Sequence, residues 1–150
     1  MTQYQITIPL KARPQGSKRH VGGGRMIEQA GEGLKQYRAA MRAEAKRKCH
    51  TSLTGPVGVY VSFTISRPKR HYHKNGSLLP TAPMHPVQCV RGDIDKLTRS
   101  TLDALTGVAY HDDKQVVGLI ANVLWGVTDQ TSVLVTDLTN SWDGSTDDSD

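Results

Sequence analysis

Residues 93–126 carry the sequence DIDKLTRSTLDALTGVAYHDDKQVVGLIANVLWG, which predicts a helix followed by a strand. Apolar positions recur at helical spacing across residues 93–105, and Gly107 is placed to end that helix. These positions are Ile94, Leu97, Thr101, Leu102 and Leu105. Residues 115–126 predict a strand, and a further strand over residues 131–138 follows a turn at residues 128–130.

The chain before this stretch predicts two more strands and one more helix. Apolar and polar residues alternate in residues 3–10 and again in 57–65, as in half-buried strands. Residues 32–48 have apolar side chains at helical spacing. Residues 11–26 are expected to form a basic loop, and residues 66–91 a long loop with four prolines. The order predicts an α+β fold, a single mixed sheet with two helices packed on one face.

The length and composition indicate one domain with a modest core. A chain of 150 residues suits one domain, which we place at residues 1–138, and residues 139–150 form an acidic tail expected to be disordered. Only 37% of the residues are hydrophobic and eight are aromatic. An interface that buries further apolar surface would therefore help the fold.

The charges are distributed unevenly along the chain. Residues 1–92 hold sixteen Lys and Arg but three acids, whereas most acids follow residue 92. A basic body beside an acidic cluster suits an enzyme that acts on a polyanion, although a solvated basic surface has the same composition. The two cysteines, the missing signal peptide and the missing membrane span indicate the cytoplasm, with no membrane partner.

Asp93 and Asp95 form the first part of a candidate metal site. Carboxylates two residues apart share a side only where the chain is extended, so the pair suits a junction between a loop and a helix. Helix capping explains this pair equally well. Asp112 and Asp113 follow the helix and would meet the first pair if the next strand packs back against it. Carboxylates are ligands for Mg²⁺ and Mn²⁺, whereas a surface turn is the alternative for the second pair.

Asp103 is expected to lie outside this site. It follows Asp95 by eight residues, which is about 12 Å along a helix and too far to share one ion with Asp95. We expect it to pair with Arg99 or with the loop.

The stretch from Asp93 to Gly107, with Tyr110 to Val116, resembles the signature of RusA-type Holliday-junction resolvases, D-x-D-N-L-x-K-x-x-x-D-A-L followed by D-D-x-Q-V. The resemblance implies a RusA-like homodimeric endonuclease, often carried by phages or prophages, that uses Mg²⁺ or Mn²⁺. It implies paired nicks in four-way DNA junctions within a bacterial host cell, in recombination and repair, without a small-molecule cofactor beyond the metal.

The resemblance also assigns residues to the reaction. The catalytic and metal-binding carboxylates fall on Asp93, Asp95 and Asp113, with Asp112 adjacent. Arg99 stands where the family has a catalytic lysine, and Lys96 lies one turn away and is the other candidate for that role.

Two basic segments are candidate DNA-binding surfaces. Glycines flank the bases of the first loop, and three histidines accompany the bases of the second. The candidates are Lys18, Arg19, Arg25, Arg67, Lys69, Arg70 and Lys74. Flexible basic loops are the alternative, and a zinc site at His71, His73 and His85 lacks a further ligand at a suitable spacing.

Three other functions fit parts of these observations. A non-catalytic basic DNA-binding protein would explain the charge but not the paired carboxylates. A nuclease for other branched DNA would use the same site, because junction choice depends on dimer geometry. An inactive relative is the third, because Arg99 replaces the lysine.

Overall fold

The structure is a computed structural model that describes residues 2–15, 18–21, 25–28, 31–87 and 93–140, with the backbone alone for 18–21 and 25–28. Its strands are β1 (Gln3–Ile8), β2 (Lys18–Val21), β3 (Arg25–Glu28), β4 (Val57–Ser66), β5 (Val116–Gly126) and β6 (Gln130–Asp137). Its α-helices are α1 (Gly31–Lys48) and α2 (Ile94–Leu105). Short 3-10 helices lie at Lys69–His71 and Asp113–Gln115.

The main sheet has four strands in the order β1-β6-β4-β5. β6 pairs antiparallel with both β1 and β4, whereas β4 and β5 are parallel, so the sheet is mixed. Parallel neighbours need a crossover connection, and the chain between β4 and β5 supplies it through α2. The predicted α+β fold is confirmed.

The core lies between one face of this sheet and the two helices. Alternate residues of β1, β4 and β6 are buried, among them Ile6, Val61 and Val133. α1 contributes residues spaced three and four apart, including Tyr37, whose hydroxyl lies 2.6 Å from Oγ1 of Thr101 in α2. Within the described ranges, no helix is long and apolar enough to cross a membrane.

The opposite face of the sheet has no helix packed on it among the described elements. Tyr60 and Ile120 are opposite each other in β4 and β5, and are 43% and 58% exposed. Leu134 is opposite Tyr60 on the other side, in β6. Their neighbours on this face, such as Gln5, Ser62 and Ser132, are uncharged, and several of these residues line shallow clefts.

The basic loop predicted over residues 11–26 is wrong in part. β2 and β3 pair antiparallel, with Lys18 opposite Glu28 and Val21 opposite Arg25, and form a second sheet that the sequence analysis did not predict. Two arms of four residues each are too short to show a clear apolar period. The pattern did contain a hairpin signal, because Gly22, Gly23 and Gly24 separate the two arms.

The second predicted loop is largely irregular, and its described part is fixed by Trp125 of β5. The indole Nε1 of Trp125 donates to the Pro83 carbonyl at 3.1 Å, and His71 packs edge-on against the ring. Trp125 is half-buried beneath this loop and stands outside the main core cluster. Residues 88–91 of the loop, and residues 141–150 of the predicted acidic tail, lie outside the described part of the chain.

Candidate active site

Asp93 occupies the N-cap position of α2, and Asp95 lies in the first turn. The backbone of Asp93 is extended, with φ −84° and ψ 159°, so the pair does stand at a junction between loop and helix. The Asp93 side chain makes no capping hydrogen bond, and both residues are exposed. Capping therefore does not explain the carboxylate of Asp93, which is free to bind another group.

The other end of α2 is fixed by its neighbours. Gly107 has φ +85°, the left-handed conformation that lets the chain leave a helix. The guanidinium of Arg42 donates to the carbonyls of Ala104 and Thr106 at 3.0 and 2.8 Å, which places a cation at the helix C-terminus. Residues 106–115 then connect the end of α2 to the start of β5.

Asp112 and Asp113 lie in this connection, and Gln115 holds them. Asp112 caps the short 3-10 helix by accepting from the backbone N–H of Lys114 at 2.8 Å. The Oε1 of Gln115 accepts from the N–H groups of His111 and Asp112, and its Nε2 donates to the carbonyls of Leu53 and Gly55. Asp112 thus has a structural role, whereas Asp113 does not cap the 3-10 helix and its carboxyl group interacts with that of Asp112.

The electrostatic environments of the two neighbours differ. Hydrogen bonding to the Lys114 N–H lowers the pKa of Asp112. Loss of hydration raises the pKa of Asp113, and the nearby carboxylates of Asp112 and Asp103 raise it further. Negative charge is therefore crowded around Asp113, which is a setting that a bound cation would relieve.

Asp103 contributes to the electrostatics of Asp113, because its negative charge is one of the smaller causes that raise the pKa of that carboxyl group. The hydrogen-bond partner of Asp103 is Nε2 of Gln15, in the loop before β2. The expectation that Asp103 pairs with a loop is confirmed, and its ion pair with Arg99 is not formed in the described part of the chain.

The described residues contain no group of three or more His, Cys, Asp or Glu side chains that could hold a metal ion. Asp93, Asp95 and Asp113 are therefore not gathered into one preformed centre. The reason is that α2, with twelve residues, runs for about 18 Å. Gln115 ties the Asp113 turn to residues 53–55, and Tyr110, three residues before Asp113, donates to the Leu102 carbonyl in the last turn of that helix. The same result does not support a zinc site at His71, His73 and His85.

The predicted basic residues have different surroundings. Lys96 is half-buried and Arg99 exposed, both in the first half of α2. Arg67 stacks over the Trp125 ring at 5.0 Å and donates to the Pro83 carbonyl at 2.8 Å, so it anchors the loop. The exposed bases of that loop are Lys69, Arg70 and Lys74. The side chains of Lys18, Arg19 and Arg25 lie outside what the structure describes.

Sequence reasoning missed the contributions of Gln115, Arg42 and Gln15. A usable signal existed for Gln115, because Asp112 and Gln115 have the spacing of a capping box. No local pattern reveals Arg42 or Gln15, since their partners lie 62 and 88 residues away.

Comparison with known proteins gives two matches. A protein named YqaN from Bacillus subtilis (strain 168) is 28% identical over 134 residues, which cover 83% of this chain and 87% of that protein. The family model described as Endodeoxyribonuclease RusA matches residues 8–136, which include every carboxylate discussed above. The chain belongs to the RusA family of endodeoxyribonucleases.

Proposed function

We propose that this endonuclease resolves four-way Holliday junctions by paired, metal-dependent nicks during DNA recombination and repair. The observation that carries the proposal is the state of Asp93, an N-cap residue whose carboxylate caps nothing and is exposed beside Asp95. Because the Asp93 carboxylate makes no capping hydrogen bond, helix capping does not account for its presence. A basic DNA-binding protein without catalysis would have no use for them.

The chemistry of the carboxylates fits a hard divalent cation, although the structure does not bring the three together. Asp93, Asp95 and Asp113 offer carboxylate oxygens, which suit Mg²⁺ or Mn²⁺ and not zinc. The crowded charge that raises the pKa of Asp113 would be offset by such an ion. Asp112 was also a predicted ligand, but its carboxylate already caps the 3-10 helix, and we assign it to holding Asp113 in place.

The reaction would be in-line attack of water on a phosphodiester. When bound, the metal ion lowers the pKa of water and offsets charge on the phosphoryl oxygens. Lys96 and Arg99 lie on α2 after the acidic pair, where a cation can stabilise the charge that grows on the phosphate. Arg99 would bind phosphate without serving as a proton donor, because a guanidinium stays charged.

We assign DNA binding to two basic surfaces, the hairpin with Lys18, Arg19 and Arg25 and the loop with Lys69, Arg70 and Lys74. The loop is anchored to β5, because Arg67 and Trp125 both donate hydrogen bonds to the Pro83 carbonyl. Arg67, predicted to contact DNA, is thus better placed to support the loop than to reach a phosphate.

We propose a homodimer that buries the uncovered face of the main sheet. Tyr60, Ile120 and Leu134 give that face an apolar centre, and its uncharged surroundings would not repel a second copy of a chain with net charge +5. A twofold dimer presents two identical sites, as paired nicks require. Changing Ile120 to Lys should yield monomers by light scattering, and a dimer that persists unchanged would rule out this face.

The experiment that tests the proposed function uses the full chain with labelled DNA. A four-way junction and a linear duplex of the same arm sequence are incubated with EDTA, Mg²⁺ or Mn²⁺. We expect paired nicks in the junction only with Mg²⁺ or Mn²⁺, and far slower cutting of the duplex. Equal cutting of both substrates would assign another specificity, and cutting in EDTA would exclude the metal mechanism.

A further inference from the structure

The segment Arg13–Gln15 lies directly on α2. Ser100 is fully buried, and its hydroxyl donates to the Arg13 carbonyl at 2.6 Å. The Gln15 N–H donates to the Lys96 carbonyl at 3.2 Å. Pro14, between them, is buried. Both ends of this short segment are thus hydrogen-bonded to the helix that carries Asp93 and Asp95.

The Gln15 side chain adds a contact with the same helix face. Its Nε2 donates to the Oδ2 of Asp103, which stands one helical turn beyond Ser100. The Oε1 of Gln15 is buried without a partner in the described part of the chain. The carboxamide therefore makes one contact, and that contact is with a carboxylate, which gives a hydrogen bond of the stronger class.

The basic hairpin depends on what holds its base. β2 begins three residues after Gln15, and β2 and β3 pair only with each other within the described sheets. A two-stranded hairpin is marginally stable by itself in water. Its position therefore depends on the chain at its two ends, and Arg13–Gln15 is the nearest described segment before β2 that contacts α2.

We propose that Gln15 and Asp103 form a latch that fixes the basic hairpin to α2, and that both are positioning residues for substrate DNA. This inference rests on the proposed junction-cutting function. Phosphates bound by the hairpin must stand at a fixed offset from Asp93 and Asp95 for one strand to enter the site. A hairpin that is already fixed to α2 loses less conformational entropy when DNA binds, so its affinity for DNA is higher.

The latch is tested by exchanging its two partners. Gln15→Glu sets two carboxylates against each other and should raise KM for the junction on the order of tenfold, the typical value of a charge-assisted hydrogen bond. Asp103→Asn keeps an acceptor and should raise KM only about two- to threefold. In Gln15→Glu with Asp103→Asn the amide donates to the new carboxylate, and KM should return to within about threefold of the unaltered protein.

A control and a second readout separate positioning from mere stability. Glu44→Gln breaks an exposed contact with Arg47 on α1 and alters the net charge by one, and KM should not change. Hydrogen exchange of residues 18–28 should speed up in Gln15→Ala, while β4 keeps its protection. If the Gln15 variants change only the melting temperature, while KM and the hydrogen exchange of the hairpin stay constant, the latch is a structural contact and the inference is wrong.

The outcomes also separate this inference from the proposed function. If the unaltered chain fails to cut junctions, the proposed function fails, and hairpin exchange still decides whether the latch exists. If the chain cuts junctions but the double variant is no better than Gln15→Glu, the latch is refuted while the function stands. Gln15→Ala supplies the same test should Gln15→Glu fail to fold.

Discussion

Replacing Gln115 with Ala should both destabilise the protein and misplace Asp113. The side chain makes four hydrogen bonds, at 2.8 to 2.9 Å, to the backbone of His111, Asp112, Leu53 and Gly55. At about 0.5–1.5 kcal/mol each they total about 2–6 kcal/mol. Water can satisfy the two exposed N–H groups in the variant, so we expect a loss of about 2–3 kcal/mol.

Urea unfolding followed by circular dichroism measures this loss, and junction cleavage by the folded protein measures the effect on Asp113. We expect cleavage to fall at least about tenfold, because a displacement near 1 Å in a catalytic group has costs of that order or larger. Lys114→Ala, the adjacent exposed position, is the control and should change stability by less than about 0.5 kcal/mol. A Gln115→Ala protein with unchanged stability and full cleavage would refute the reasoning.

Three further predictions concern charge. Asp93→Asn should leave the melting temperature nearly unchanged and should abolish cleavage. Asn caps helices as well as Asp does, so Asp93→Ala tests capping: a loss of about 1 kcal/mol in that variant with cleavage intact would support the capping role. The raised pKa of Asp113 means that the folded protein favours its protonated form. Its charge therefore costs stability above that pKa, and the cost disappears as pH falls through it. Protons compete with the metal for Asp113, so acidification should weaken cleavage at subsaturating Mg²⁺ from a higher pH than an ordinary aspartate would give, and a pH profile that follows an ordinary aspartate would count against Asp113. Changing Lys69 and Arg70 together to Ala should reduce the log–log salt slope of junction binding by up to about 1.8, or 0.9 per phosphate contact, and an unchanged slope would remove this loop from the DNA surface.

The main sheet and both helices could be predicted from the sequence because each has a clear period. The alternation in residues 57–65 and the spacing of Leu34, Tyr37, Met41 and Ala45 identify buried faces before any contact is known. The hairpin was missed because strands of four residues carry too few positions to show a period. Helix ends were predicted to within one residue, and the extended backbone of Asp93, at the N-cap position, explains the difference for α2.

The candidate site could be predicted in its residues but not in its arrangement. Asp93 and Asp95 are adjacent in sequence, so their shared position follows from local geometry. The position of Asp113 depends on Gln115 and on the loop at residues 53–55. These contacts join residues far apart in the sequence, so no local sequence pattern reveals them. The contact of Asp103 with Gln15, in the loop before β2, joins residues that are 88 positions apart and is equally absent from the local pattern.

The central claim is that Asp113, like Asp93 and Asp95, is required for metal-dependent cleavage. The most direct measurement is cleavage of a labelled four-way junction by Asp113→Asn at saturating Mg²⁺, with junction affinity measured on the same preparation. The amide is nearly isosteric and removes one negative charge beside the phosphate, so we expect no cleavage and affinity that is equal or tighter. Full cleavage by Asp113→Asn under these conditions would contradict the account.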